Sequence, residues 1–104
     1  MHNFKNLMIW QKSIQLSIVL YKFLKSISTN DQYIFSSQLM RASISIASNI
    51  AEGSGKESDK DFKRYLRIST GSSFELETQL IILSKIQGGK RSELVQLLKN
   101  VTEI

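Results

Sequence analysis

The sequence predicts an all-α domain, and three observations carry that prediction. Apolar residues recur at intervals of three and four rather than two, the spacing of one helix face and not of a half-buried strand. Proline is absent, so no pyrrolidine ring breaks a helix, and the five glycines fall almost entirely where helices would end. Breaking the chain at those points gives four helical segments in one domain over residues 1–104, the fourth of them short.

The first segment runs from about Phe4 to Ile27 and carries two apolar stripes. Leu7, Trp10, Ile14, Ser17/Ile18, Tyr21 and Leu24 form one, and Ile9, Ser13, Leu16, Leu20, Phe23 and Ile27 form the other. At 100° per residue the two lie about 200° apart, on nearly opposite faces. One lines the core, and the other needs cover. Either another helix of the same chain or a second copy of the protein supplies it; a chain of 104 residues makes only a modest core, which favours the second copy, with Ile9, Leu16, Leu20, Phe23 and Ile27 as the oligomer interface.

Ser26 to Asn30 reads as a loop, and Asp31 as the N-cap of a second helix reaching Ala51 or Glu52. Phe35, Leu39, Ala42, Ile46 and Asn49 form its main stripe, flanked by Met40, Ile44, Ala47 and Ala51. The run Ser45-Ile46-Ala47-Ser48-Asn49-Ile50-Ala51-Glu52-Gly53-Ser54-Gly55 is rich in small residues, which let neighbouring backbones approach closely. Gly53 suits a left-handed C-cap. Ser58-Asp59-Lys60-Asp61 then has the form of a capping box and opens a third helix to about Ile86, ended by Gly88-Gly89. Its small centre, Ser69 to Ser73, faces the small half of the second helix. Ser92 to Ile104 places Leu94, Leu97, Leu98, Val101 and Ile104 on one face of the short fourth helix, which leaves part of the bundle groove open.

The residue inventory excludes most chemistry. Without cysteine there is no disulfide framework and no thiolate metal site, and a cytoplasmic setting is the expectation. The start, Met1-His2-Asn3-Phe4-Lys5, lacks the pattern of a signal peptide, and no apolar run is long enough to cross a bilayer, so no membrane partner is expected. His2 is the only histidine, which removes Ser-His-Asp and Cys-His catalysis and the paired Glu-x-x-His ligands of di-iron bundles. Glu75 and Glu77, two residues apart, face different directions. Gly53-Ser54-Gly55-Lys56 has neither the spacing nor the preceding strand of a phosphate loop. No enzyme, cofactor or metal is expected.

Charge points elsewhere. Fourteen Lys and Arg against nine Asp and Glu give a net +5, with a pI near 9.6, which suits an anionic partner such as RNA or DNA. Lys56, Lys60, Lys63, Arg64 and Arg67 cluster at the start of the third helix, with Lys60, Arg64 and Arg67 on one ridge. Glu57, Asp59 and Asp61 are interleaved, so a solvated face held by weak ion pairs is the competing account. Arg41, Asn49, Glu52 and Glu75 form a second polar group, read as a half-buried network in which each satisfies another's hydrogen bonds.

Phe4-Lys5-Asn6-Leu7 with Trp10-Gln11-Lys12, Ser37-Gln38-Leu39-Met40-Arg41-Ala42, the Ser45–Gly53 run, Ser58-Asp59-Lys60-Asp61-Phe62 and Gly71-Ser72-Ser73-Phe74-Glu75-Leu76-Glu77-Thr78-Gln79-Leu80 together resemble the bacterial protein family encoded in intervening sequences of 23S rRNA genes, also called S23. The similarity covers nearly the whole chain. A looser resemblance is to the accessory variability protein of diversity-generating retroelements, which works with a reverse transcriptase and binds nucleic acid through a basic surface. The resemblance implies an antiparallel up-down-up-down four-helix bundle without enzymatic activity that assembles into a ring, typically a homopentamer. Ala47 departs from the family pattern, which commonly has proline there.

The expectation is therefore a non-enzymatic homo-oligomeric bundle that binds structured RNA or DNA, or a ribonucleoprotein. Lys60, Lys63, Arg64 and Arg67 would contact phosphates, with Arg41 and Lys56 as helpers. The competing expectation is a structural or adaptor protein that docks a protein partner through an apolar face of the first helix.

Overall fold

Short connections between long helices set the topology. After a 3-10 turn at Phe4–Asn6, α1 spans Met8–Ser26, α2 spans Thr29–Ser54 and α3 spans Asp59–Ile86. The computed structural model describes residues 2–86, 96, 97 and 99–101; the last five are helical and belong to a short fourth helix, α4. The expected stop at Gly88-Gly89 lies outside the described residues. Ile27 and Ser28 alone separate α1 from α2, and residues 55–58 separate α2 from α3. Links that short join antiparallel neighbours. Ser17 accordingly meets Ser43, and along the next seam Gly53 lies against Tyr65, Ser45 against Ser72 and Arg41 near Glu75. The result is the four-helix bundle that the sequence predicts, 46 × 20 × 20 Å between its outermost Cα atoms.

The core corrects the assignment of the two α1 stripes. Leu16, Leu20, Phe23 and Ile27, expected at an oligomer interface, are only 1%, 0%, 4% and 6% exposed within a single chain, and Ile9 is half-buried against the same cluster. They pack with Leu39, Ile46 and Ile50 of α2, Leu76, Leu80 and Leu83 of α3, and Leu97 and Val101 of α4. The other stripe forms a shoulder over the α1–α2 seam, where Ile18 and Tyr21 stay exposed while Leu24 turns inward. The two stripes are centred about 120° apart and adjoin rather than oppose each other, since Leu24 directly follows Phe23, and the stripe expected at an interface is the buried one. Residue chemistry explains this: the inward stripe is nearly all aliphatic or Phe, whereas the outward one carries Trp10 and Tyr21, whose polar atoms favour a boundary.

Two caps also differ from expectation. Ser28, not Asp31, is the N-cap of α2: its hydroxyl accepts the Asp31 N–H at 3.2 Å, so the helix starts three residues earlier and Asp31 lies in its first turn. At the other end α2 continues through Gly53 to Ser54, and no described residue has a positive φ. Gly53 serves proximity instead. A Cβ there would lie 2.5 Å from Tyr65 Cβ and 3.1 Å from Phe62 Cδ1, so the α2 backbone is seated directly on α3. The α3 cap is as predicted, with the Ser58 hydroxyl accepting the Asp61 N–H at 3.1 Å.

Hydroxyls meet near the middle of the bundle. Ser17 and Ser43 Oγ are 2.6 Å apart, Ser45 and Ser72 Oγ are 2.8 Å apart, and buried Ser69 donates to the Ile46 carbonyl at 2.9 Å. Their small volume brings the helices close, and each finds a partner, as burial requires. Gly71, between Ser69 and Ser72 in the interior of α3, has no such reason for being glycine, since nothing lies within 4 Å of a Cβ built there. Gly71→Ala is therefore expected to stabilise the bundle by about 0.5–1 kcal/mol through helix propensity alone, read as a higher midpoint in a thermal melt followed by circular dichroism.

Candidate nucleic-acid interface

The first turns of α3 present cations to solvent because that helix buries only Ser69, Leu76, Leu80 and Leu83 deeply. Lys60, Lys63, Arg64 and Arg67 all lie on the opposite, exposed side. Asp59 and Asp61 occupy the same turns, where carboxylates favour the positive end of the helix dipole. Their presence limits the local field without covering the four cations.

Tyr65 organises two of the cations. The Lys56 ammonium lies 5.3 Å and the Arg64 guanidinium carbon 4.8 Å from its ring centroid, both within the range of cation–π attraction. Its hydroxyl donates to Glu52 Oε1 at 3.4 Å, which ties the ring to the end of α2. Half-buried Lys56 is thus drawn from the connecting loop onto α3. The run of basic residues was evident from sequence, but this aromatic support was not. The available signal was a tyrosine next to Arg64, on the flank of α3 that meets Gly53.

The same end of the bundle is closed by the amino-terminal segment. The His2 backbone N–H donates to the Ser54 carbonyl at 2.8 Å, and its ring lies 5.0 Å from that of Phe62. Nothing in the sequence placed His2 there. Phe62 is adjacent to Lys63, so the imidazole borders the basic turns.

Arg41 does not join this group. It stands beside Glu75, eleven residues and about 16 Å along α3 from Arg64, and it donates to Gln38 Oε1 at 2.8 Å. The four-member polar network is corrected as well. Arg41 and Glu75 form a loose 3.9 Å pair whose side chains are 70% and 48% exposed, the kind of surface pair that contributes little. Asn49 instead donates within its own helix, to the Ser45 carbonyl at 2.8 Å and hydroxyl at 3.0 Å, while Glu52 receives the Tyr65 hydroxyl. These are three separate sites, because residues on one helix face can still be far apart along its axis: eight positions from Arg41 to Asn49 is about 12 Å.

A groove of about 400 Å³ opens beside Val101, lined by Ile9, Ile50, Leu66, Ser69, Thr70, Ser73, Phe74 and Glu77. The hydroxyls of Ser69, Thr70 and Ser73 all donate to backbone carbonyls, so they are spent on the helices. Among the described residues no helix is long and apolar enough to cross a membrane.

A family model described as 23S rRNA-intervening sequence protein matches residues 5–104. The chain belongs to that family. In keeping with membership, the fold is similar to a crystal structure from Bacteroides thetaiotaomicron VPI-5482, described as a protein with unknown function from the S23 ribosomal protein family. The TM-score is 0.83 at 24% identity, over 92% of this chain and 90% of that one. At that identity the likeness concerns the family's fold alone. No curated protein matches the chain.

Proposed function

We propose that this family member is a non-enzymatic, self-associating bundle that binds the phosphate backbone of structured RNA or DNA at the start of α3. The observation that carries the reading is the exposed set Lys60, Lys63, Arg64 and Arg67, with Arg64 and Lys56 held against Tyr65. Charged side chains fixed in advance lose less freedom on meeting a phosphate. Contacts of this kind position a duplex and carry no sequence information, so ribosomal RNA fragments and unrelated duplexes of equal length bind alike. The test is the affinity for a labelled rRNA stem over a salt series. The reading expects a steep fall in affinity as salt rises; no binding at low salt, or binding without a salt slope, refutes it.

A second reading is favoured by one specific feature, the apolar shoulder of the α1–α2 seam. A groove of about 230 Å³ there is lined by Trp10, Ile14, Ser17, Ile44, Ala47, Ser48 and Ala51, and Ile44 is 51% exposed. Exposed apolar surface of this kind marks contact with another protein. Under the first reading a second copy of the chain covers it; under the second, an adaptor's partner does. Light scattering separates the two: an oligomer at micromolar concentration, converted to monomer by a charge on the exposed rim of the groove, Ile44→Arg, with unchanged helix content, supports self-association, and a monomeric wild type supports the adaptor.

A further inference from the structure

The net charge of the chain does not reside where its densest run of basic residues lies. Residues 1–30 hold four lysines and no acidic residue, whereas the rest of the chain holds ten basic against nine acidic residues. Four of the five net positive charges therefore belong to α1 and the turn before it. At the start of α3, Glu57, Asp59 and Asp61 offset three of the five cations and leave a local +2, whereas residues 1–30 carry no acidic residue of their own.

We propose that the solvent arc of α1 is a second contact surface for the phosphate backbone of nucleic acid. The inference rests on reading the chain as a backbone binder, and it places the stronger field on the other side of the bundle. Because α2 packs between α1 and α3, the two outward faces lie at opposite corners.

The arc is built from Lys and Gln. Gln11, Lys12, Gln15, Lys22 and Lys25 are all exposed, and Lys12 and Lys22 stand about 15 Å apart along the axis. Lys25 is steadied by Tyr21, with its ammonium 5.1 Å from the ring centroid. Two shallow clefts follow the seam with α4, one of about 160 Å³ lined by Lys12, Gln15, Leu16 and Asn100. The other, about 280 Å³, is lined by Val19, Lys22, Phe23, Gln96 and Leu97. Each cleft thus sets one ammonium beside an amide side chain of α4, Asn100 in one and Gln96 in the other, and the two amides are linked by Gln96 Nε2 donating to Asn100 Oδ1 at 3.1 Å. Among the described residues of α1 and α4 there is no carboxylate, and exposed Lys99 adds a further cation on α4.

The shape of the arc selects the partner. A membrane-bound helix needs a broad apolar face flanking its lysines, whereas the large apolar residues that α1 exposes among the described residues, Met8, Ile18 and Tyr21, are spread over about 20 Å of its length and form no continuous face. A straight helix about 28 Å long with cations at fixed intervals suits a stiff polyanion, and a duplex supplies a continuous line of charge.

The test uses the full chain, a fluorescein-labelled 20-bp DNA duplex, and fluorescence anisotropy across a potassium chloride series. Three variants are compared: Lys12→Glu with Lys22→Glu; Lys60→Glu with Arg64→Glu and Arg67→Glu; and a control matched in charge to the first, Arg41→Glu with Lys85→Glu. Circular dichroism establishes equal helix content for all of them. The α1 variant is expected to lose about tenfold or more in affinity, with a salt slope shallower by about 1.8 for its two phosphate contacts, while the control stays within about threefold of wild type. An α1 variant no weaker than the control, beside an α3 variant that fails, overturns this inference and leaves the α3 reading standing. Loss in the α1 variant with an unaffected α3 variant upholds it and removes the contact from α3. A wild type that binds phosphatidylserine vesicles or polyglutamate but no duplex overturns both.

Discussion

Gly53→Ala is expected to lower the thermal midpoint by roughly 5–10 °C, on the scale of about 4–8 °C per kcal/mol for a domain of this size. Two effects compete. Alanine in a helix interior is favoured over glycine by about 1 kcal/mol, and that gain applies here because Gly53 lies inside α2 at an ordinary negative φ. Against it stands a Cβ placed 2.5 Å from Tyr65 Cβ. Tyr65 Cβ is bonded to the α3 backbone and cannot swing aside as a side-chain tip would, so the helices themselves must separate. Forced overpacking of this kind costs about 1–3 kcal/mol, and a contact this short belongs in the upper part of that range, so the clash outweighs the propensity gain. The contrast with Gly71→Ala makes the test sharp, since one substitution type should destabilise at the seam and stabilise in the open. Equal stabilisation at both positions would show that the α2–α3 contact tolerates retreat without cost.

The triple charge reversal at Lys60, Arg64 and Arg67 should abolish most nucleic-acid binding while leaving the fold intact. All three side chains are exposed, and surface substitutions usually change stability by no more than about 0.5 kcal/mol. Each neutralised phosphate contributes about 0.9 to the salt slope of a DNA duplex, so losing three contacts should make it shallower by about 2.7. The affinity at moderate salt should fall on the order of a hundredfold. Tyr65→Ala offers a milder counterpart, because it releases Lys56 and Arg64 without removing a charge. It should weaken binding with little change in slope. Undiminished binding by the triple variant, together with unchanged helix content, would place the contact elsewhere on the molecule.

What the sequence made legible, and what it did not, follows from the range of each signal. Periodicity acts over a few residues and identified the long helices, the Ser58 cap and the two apolar stripes of α1. Which α1 face turns inward depends on the arrangement of three other helices, and the stripe containing Leu16 and Leu20 proved to be the buried one. From sequence Gly53 has the form of a stop signal, because glycine is common just past helix ends. Its actual reason, the Tyr65 side chain across the seam, lies twelve residues away in sequence and beyond any local pattern. The basic cluster was visible as composition, but its mounting on Tyr65 and Glu52 needed the register of α2 against α3. That register likewise separates Arg41 and Glu75 from Asn49, although the sequence spacing groups them in one network.

The serine pairs at mid-bundle constrain how the helices are allowed to fit. A slip of one helical turn, about 5.4 Å, would leave an apolar stripe nearly as well covered as before, since apolar residues recur along α1, α2 and α3. The same slip would part Ser17 from Ser43, or Ser45 from Ser72 and Ser69 from the Ile46 carbonyl. It would also drive the α2 backbone at Gly53 off Tyr65 and a bulkier neighbour onto it. Small hydroxyls therefore do for alignment what the greasy interior cannot: they make one sliding position distinguishable from the next, like the notches of a key.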